Sequence, residues 1–119
     1  MGTSKKRSRT IVYEFRDAQQ MAKDCPDTFD APAYSDTSMV RQGDHVKVCA
    51  CGERFWVMVI DNDVAAQRIV GTVDNALWDT ETHGLSLGDV VELEYRHVYD
   101  INLASDHREP MNLRPEQGN

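Results

Sequence analysis

The sequence predicts an α+β domain in which an N-terminal helix packs on a curved antiparallel sheet of four or five strands that approaches a small barrel. Two observations favour this fold. Apolar residues recur every three or four positions near the start of the chain, whereas between residues 45 and 99 they alternate in short segments separated by turns. With 119 residues, of which 40% are hydrophobic, the chain holds the core of one domain.

The domain is expected over residues 10–101. Residues 1–9 precede it as a basic flexible tail, and residues 102–119 follow it as a polar tail without hydrophobic periodicity.

A helix is predicted over residues 17–25, where apolar side chains fall on one face. Asp17 is suited to cap its N-terminus, and Pro26 ends it. Residues 10–16 fit either a strand or a longer helix, because they begin with β-branched and aromatic side chains. Residues 26–39 are rich in proline and aspartate, show no periodicity and are predicted as a loop.

The strands follow in residues 45–50, 53–61, 68–74 and 89–99, joined by short connections that make neighbours antiparallel. Cys51-Gly52 is tight enough for a hairpin turn. Residues 55–60 are apolar at every position, so their strand should be central. In the last strand, Tyr95, His97 and Tyr99 are expected on one face. The predicted core is Val46, Val48, Phe55, Val57, Val59, Val70, Val91, Leu93 and one of Ala18 or Met21.

One pattern occurs twice, at Gly43-Asp44 and at Gly88-Asp89, each time followed by alternating apolar residues. Glycine permits a positive φ, and an aspartate side chain can cap the amides of the turn. We therefore expect two strands to begin from the same kind of turn.

Several of these segments resemble the core signature of a bacterial family catalogued as domain of unknown function 2314. The resemblance covers residues 17–101 and implies a small α+β domain with no established activity. That family usually closes with Asp-Trp, where this chain has Asp100-Ile101. The residues that carry the resemblance are Phe55-Trp56-Val57, Ile69-Val70-Gly71, Asn75, Leu85, Leu87-Gly88-Asp89, Val91 and Val98-Tyr99-Asp100, together with Ala18, Ala22 and Phe29 of an Ala-rich helix.

The charge balance is acidic, with 20 Asp and Glu against 13 Lys and Arg and a net charge of −7. Four of the basic residues lie in the first nine positions, so the remaining chain is more acidic still and repels nucleic-acid phosphate and anionic lipid. The longest apolar run is too short to span a membrane. With three cysteines, an odd number, a disulfide framework is not expected, and we predict a cytoplasmic protein.

No catalytic residue, metal or cofactor is predicted. His45, Cys49 and Cys51 could share a strand face, but a structural zinc site needs a fourth ligand that the spacing does not supply. His97 could act as an acid/base group in a small hydrolase, although a partly buried histidine that is hydrogen-bonded at the end of the sheet is the simpler interpretation. Neither a Gly-x-Ser-x-Gly motif nor a Gly-rich phosphate loop is present, so we predict that the protein is not an enzyme.

Residues 74–84 are the best candidate for binding. They carry Trp78 among acidic residues, which suits a basic protein surface because tryptophan supplies contact area and carboxylates supply steering. Alternatively, Trp78 folds back and plugs one end of the predicted barrel. The acidic residues of 61–94 form either a solvated face or a strip that competes for a basic groove. The predicted interaction residues are Asp74, Leu77, Trp78, Asp79, Glu81, His83, Glu92 and Glu94.

The sequence thus predicts a small, acidic, non-catalytic domain with a protein-binding or accessory role and a basic protein as its partner. One alternative is an inhibitor that mimics nucleic-acid charge by occupying a basic groove. Another is a nucleic-acid-binding module that uses the basic tail at Lys5, Lys6, Arg7 and Arg9. The tail contains no aromatic residue on which bases could stack, so nucleic acid is not the favoured partner.

Overall fold

A computed structural model describes residues 10–104, which form one six-stranded sheet with short helices. The predicted basic tail of residues 1–9 lies outside the described residues, as does the predicted polar tail of residues 102–119 except for residues 102–104. In chain order, the elements are β1 (Ile11–Val12), α1 (Ala18–Asp24), α2 (Tyr34–Thr37), β2 (His45–Ala50), β3 (Glu53–Asp63), β4 (Arg68–Val73), α3 (Thr80–His83), β5 (Val90–Glu94), a 3₁₀ turn (Tyr95–His97) and β6 (Asp100–Asn102).

The strands lie in the order β1-β5-β4-β3-β2-β6, and every pair is antiparallel except β1 with β5. The α+β class is confirmed, and β3 lies inside the sheet as predicted. The predicted number of four or five strands is wrong, because residues 10–104 contain six strands. The predicted barrel-like shape is also wrong, because the sheet is open. Its edges, β1 and β6, are two and three residues long and do not pair with each other. Such short edge strands leave little backbone for further pairing.

The predicted helix is confirmed as α1. The Asp17 side chain accepts a hydrogen bond from the backbone N–H of Gln20 at 2.9 Å, as expected of an N-cap. Residues 10–16, for which the sequence allowed either a strand or a longer helix, contain the short strand β1. The predicted loop of residues 26–39 contains α2. No helix in the described part of the chain has the length and apolar character needed to cross a membrane.

One face of the sheet carries the main core, and the opposite face is called the outer face below. All predicted core residues of the sheet are buried except Val70, and Ala18, rather than Met21, is the buried residue of α1. Gly71 pairs with the core residues Val59 and Val91 on the two neighbouring strands, so it lies on the core face of the sheet. Because side chains alternate along a strand, Ile69 also faces the core and Val70 lies on the outer face. A Cβ at Gly71 would overlap the backbone oxygen of Met58, so only glycine fits here. α1 covers one corner of the outer face.

The repeated Gly-Asp pattern forms the same turn twice. Gly43 and Gly88 have φ of +97° and +92°, and each donates its N–H to a strand carbonyl at 2.9 Å. The carboxylates of Asp44 and Asp89 accept the amide three residues earlier, at 2.8 and 2.9 Å. β2 and β5 therefore begin in the same way, which confirms the prediction.

The strand expected over residues 89–99 ends at Glu94, so the single face predicted for Tyr95, His97 and Tyr99 is wrong. The chain turns instead, because His97 Nδ1 accepts the backbone N–H of Glu94 at 3.0 Å. The Tyr95 hydroxyl donates to Asn62 Oδ1 at 2.7 Å and holds the turn against β3. Side-chain hydrogen bonds thus replace the strand ladder at this point.

Candidate functional site

A buried carboxylate, that of Glu53, anchors the connection between β4 and β5. Its two oxygens accept the backbone N–H groups of Trp78 at 3.1 Å and Asp79 at 3.2 Å. His83 Nδ1 accepts the N–H of Leu85 at 3.1 Å, so the neutral ring carries its hydrogen on Nε2. Nε2 then donates to Glu53 Oε1 at 2.9 Å. Three donors from one connection therefore converge on one carboxylate.

The surroundings of Glu53 favour its charged form. Burial opposes ionisation, but the hydrogen bonds from His83 and from the amides of Trp78 and Asp79 outweigh it, so the pKa of Glu53 is lowered from 4.5. The Glu53 and His83 side chains are 6% and 0% exposed. The anchor is thus an ionised carboxylate inside the fold.

Trp78 itself points into solvent. The residue is 86% exposed although its backbone N–H is held by Glu53. The interpretation in which Trp78 folds back and plugs one end of a barrel is therefore wrong, and Leu77 packs against the main core instead. Leu87, in the same connection, is 60% exposed. The connection displays two apolar side chains from a fixed backbone.

The predicted interaction residues fall into two groups. Six lie in the β4–β5 connection, whereas Glu92 and Glu94 lie in β5 beside Val70 and Arg68, at the far end of β4. Arg68 forms ion pairs with both glutamates, and Arg96 also pairs with Glu94, at 2.7 Å. The acidic residues of 61–94 are therefore not one unpaired strip. The connection contains Asp74, Leu77, Trp78, Asp79, Glu81 and the buried His83.

The start of the connection is tied to the outer face. His45 Nε2 lies 2.6 Å from Asp74 Oδ2, and Asn75 Oδ1 accepts the N–H of Trp56 at 2.6 Å. These four residues and Asn102 line a polar cleft of about 230 Å³. The connection is thus held at its first residues as well as at its middle.

The candidate ligands His45, Cys49 and Cys51 do not converge. His45 binds Asp74, Cys49 is buried against Tyr99 and α1, and Cys51 is exposed in the hairpin turn. These residues therefore form no common site.

Another group, Glu14, Glu94 and His97, places three possible ligand atoms within 4.8 Å of one another. His97 Nδ1 accepts an amide hydrogen, so the neutral ring presents N–H and not a lone pair at Nε2. Arg96 pairs with both glutamates, at 2.6 and 2.7 Å, and supplies the positive charge. The arrangement is that of an ion-pair cluster. His97 is 1% exposed, which leaves it out of reach of a substrate.

Glu53 is the residue of this site that the sequence analysis missed. It occupies the same alternation as Phe55, Val57 and Val59, whose side chains point to the core. A carboxylate at a core-facing strand position requires a buried partner, and that was the available signal.

Neither models of protein families, nor curated proteins, nor solved structures match this chain. The resemblance to domain of unknown function 2314 stays a prediction. The fold and the site together define an α+β domain that displays an anchored loop on an open sheet.

Proposed function

We propose that the protein is a non-catalytic binding module that recognises a basic protein surface through its β4–β5 connection. The observation that carries this proposal is the contrast at Trp78, a residue that is 86% exposed while its backbone N–H is held by buried Glu53.

A fixed backbone matters because binding normally costs the entropy of ordering a loop. The Glu53 hydrogen bonds order Trp78 and Asp79 before any partner arrives, which lowers that cost. Tryptophan is also the residue type that most often dominates the energy of protein interfaces. The connection therefore presents an anchor that needs little rearrangement.

The charges around the anchor suit a basic partner. Glu81 and Asp74 are exposed in the same connection, and the chain carries a net charge of −7. Carboxylates at the rim of an interface accelerate association with a basic surface more than they tighten it. Binding should accordingly weaken as salt is added.

The inhibitor that mimics nucleic-acid charge has less support. Such a protein presents rows of unpaired carboxylates, whereas Glu92 and Glu94 are paired with arginines. The nucleic-acid-binding module would depend on the basic tail, which lies outside the described residues.

Capture of partners from a cell lysate by the full chain, at low and at high salt, tests the proposal. We expect a basic protein that is captured at low salt and lost with Trp78→Ala. Val64→Ala is the matched control, since Val64 is an exposed apolar residue in the β3–β4 turn. Capture by Trp78→Ala equal to that of the wild type, or capture of nucleic acid alone, would overturn the proposal.

A further inference from the structure

A second cleft, of about 270 Å³, lies where α1 meets the outer face of the sheet. It differs from the rest of this acidic protein because no carboxylate lines it. Its lining residues are Arg16, Met21, Phe29, Cys49, Gly52, Arg54 and Tyr99.

Two arginines from distant parts of the chain, Arg16 and Arg54, line this cleft. The Arg54 guanidinium lies 5.3 Å from the ring centre of Phe29 and 5.2 Å from that of Tyr99. Arg16 is held in place by its backbone N–H, which donates to the Cys49 carbonyl at 2.9 Å. Burial, and then electrostatic interaction with Cys49 and Asp17, raise the pKa of the Tyr99 hydroxyl, whereas the charges of Arg16 and Arg54 oppose the rise.

Both guanidinium groups are available. Arg68 and Arg96 form ion pairs, whereas neither Arg16 nor Arg54 has a carboxylate of residues 10–104 within ion-pair distance. The Asp17 carboxylate does not line the cleft, and it accepts the N–H of Gln20 and pairs with Arg96.

We propose that this cleft binds the dianion of a phosphomonoester whose organic part is apolar or aromatic. Two guanidinium groups match a dianion in charge, and their planar N–H donors match phosphate oxygens in geometry. Met21, Phe29 and Tyr99 line the same cleft and supply apolar surface for the organic part beside the Arg54 guanidinium, which lies over the two rings. A net charge of −7 repels anions elsewhere, which makes the local pair of arginines decisive.

The phosphate could belong to a small aryl phosphate or to a phosphotyrosine side chain of another protein. Calorimetric titration of the full chain with phenyl phosphate, and separately with a short phosphotyrosyl peptide, distinguishes these sources. Binding of both probes indicates a site that reads the phosphate and its ring, and binding of the peptide alone indicates a protein source. Titration with phenol, which lacks the phosphate, tests whether binding needs the negative charge.

We expect Arg16→Gln and Arg54→Gln each to weaken phosphate binding by about tenfold or more. Arg54→Lys keeps the charge without the planar fork and should fall between Arg54→Gln and the wild type. Arg41→Gln is the matched control, because Arg41 is an exposed arginine outside the cleft. Circular dichroism and thermal unfolding establish that each variant keeps the fold.

The inference is overturned if neither phosphate probe binds, if phenol binds as well as phenyl phosphate, or if folded Arg16→Gln and Arg54→Gln variants bind like the wild type. Trp78→Ala should leave phosphate affinity unchanged, since no residue of the β4–β5 connection lines the cleft. This inference and the proposed function therefore fail independently.

Discussion

Nε2 of His83 lies 2.9 Å from Oε1 of Glu53, and the two side chains are almost completely buried. This pair joins the first residue of β3 to the end of α3, thirty positions along the chain. It supports the backbone that displays Trp78, so the middle of the candidate binding loop is held by one buried carboxylate.

Glu53→Ala should release the β4–β5 connection. The substitution removes the acceptor of three hydrogen bonds, so we expect the amides of Trp78 and Asp79 to exchange with solvent at least about tenfold faster. Hydrogen exchange followed by NMR measures this. Glu81→Ala, at an exposed glutamate in the same connection, should leave the rates unchanged. Equal protection in wild type and Glu53→Ala would show that Glu53 does not order the loop.

The two Gly-Asp turns should differ in strength although their sequences match. Asp44 is completely buried and also accepts the N–H of Ala104 at 2.8 Å, whereas Asp89 is half-buried. We expect Asp44→Ala to cost about 3 kcal/mol of unfolding free energy and Asp89→Ala about 1 kcal/mol. Urea denaturation of both variants measures the difference. Equal losses would mean that burial of Asp44 adds nothing.

Stability should fall as the pH drops below the ordinary histidine range. Burial, and then the charge of Arg96, lower the pKa of His97 from 6.5, so the unfolded chain binds this proton more readily. The stabilisation that neutral His97 gives the folded state is fully present above pH 6.5, and it is lost as the pH falls toward the lower pKa of His97 in the folded protein. One such proton changes the free energy of unfolding by up to about 1.4 kcal/mol per pH unit.

His97→Asn tests this assignment, because the asparagine oxygen can replace Nδ1 as acceptor of the Glu94 N–H. The pKa values of Glu14 and Glu94 are both lowered from 4.5, so these glutamates titrate below the pH range in which His97 is tested. Urea denaturation between about pH 7 and pH 5 should show a flatter pH dependence for the variant. The same slope in both proteins would assign the effect to another group.

Features that depend on neighbouring residues were predictable from the sequence. The cap at Asp17, the hairpin turn at Cys51-Gly52 and the paired Gly-Asp turns use hydrogen bonds or φ values set within a few positions. Strand alternation likewise placed Val46, Val57 and most of the core correctly.

Features that depend on pairing between distant segments required the tertiary structure. Ile69 and Val70 are equally apolar, and only the register of β4 with its neighbours decides which one is buried. The open sheet follows from edge strands that do not meet, which no local pattern reports.

The candidate sites divide in the same way. The sequence by itself determined an acidic chain with a tryptophan in a connection between strands. The tertiary structure decided that Trp78 is exposed, because the carboxylate that holds its backbone comes from another strand. It also brought Arg16 and Arg54 into the lining of one cleft, where α1 packs on the outer face near the β2–β3 turn.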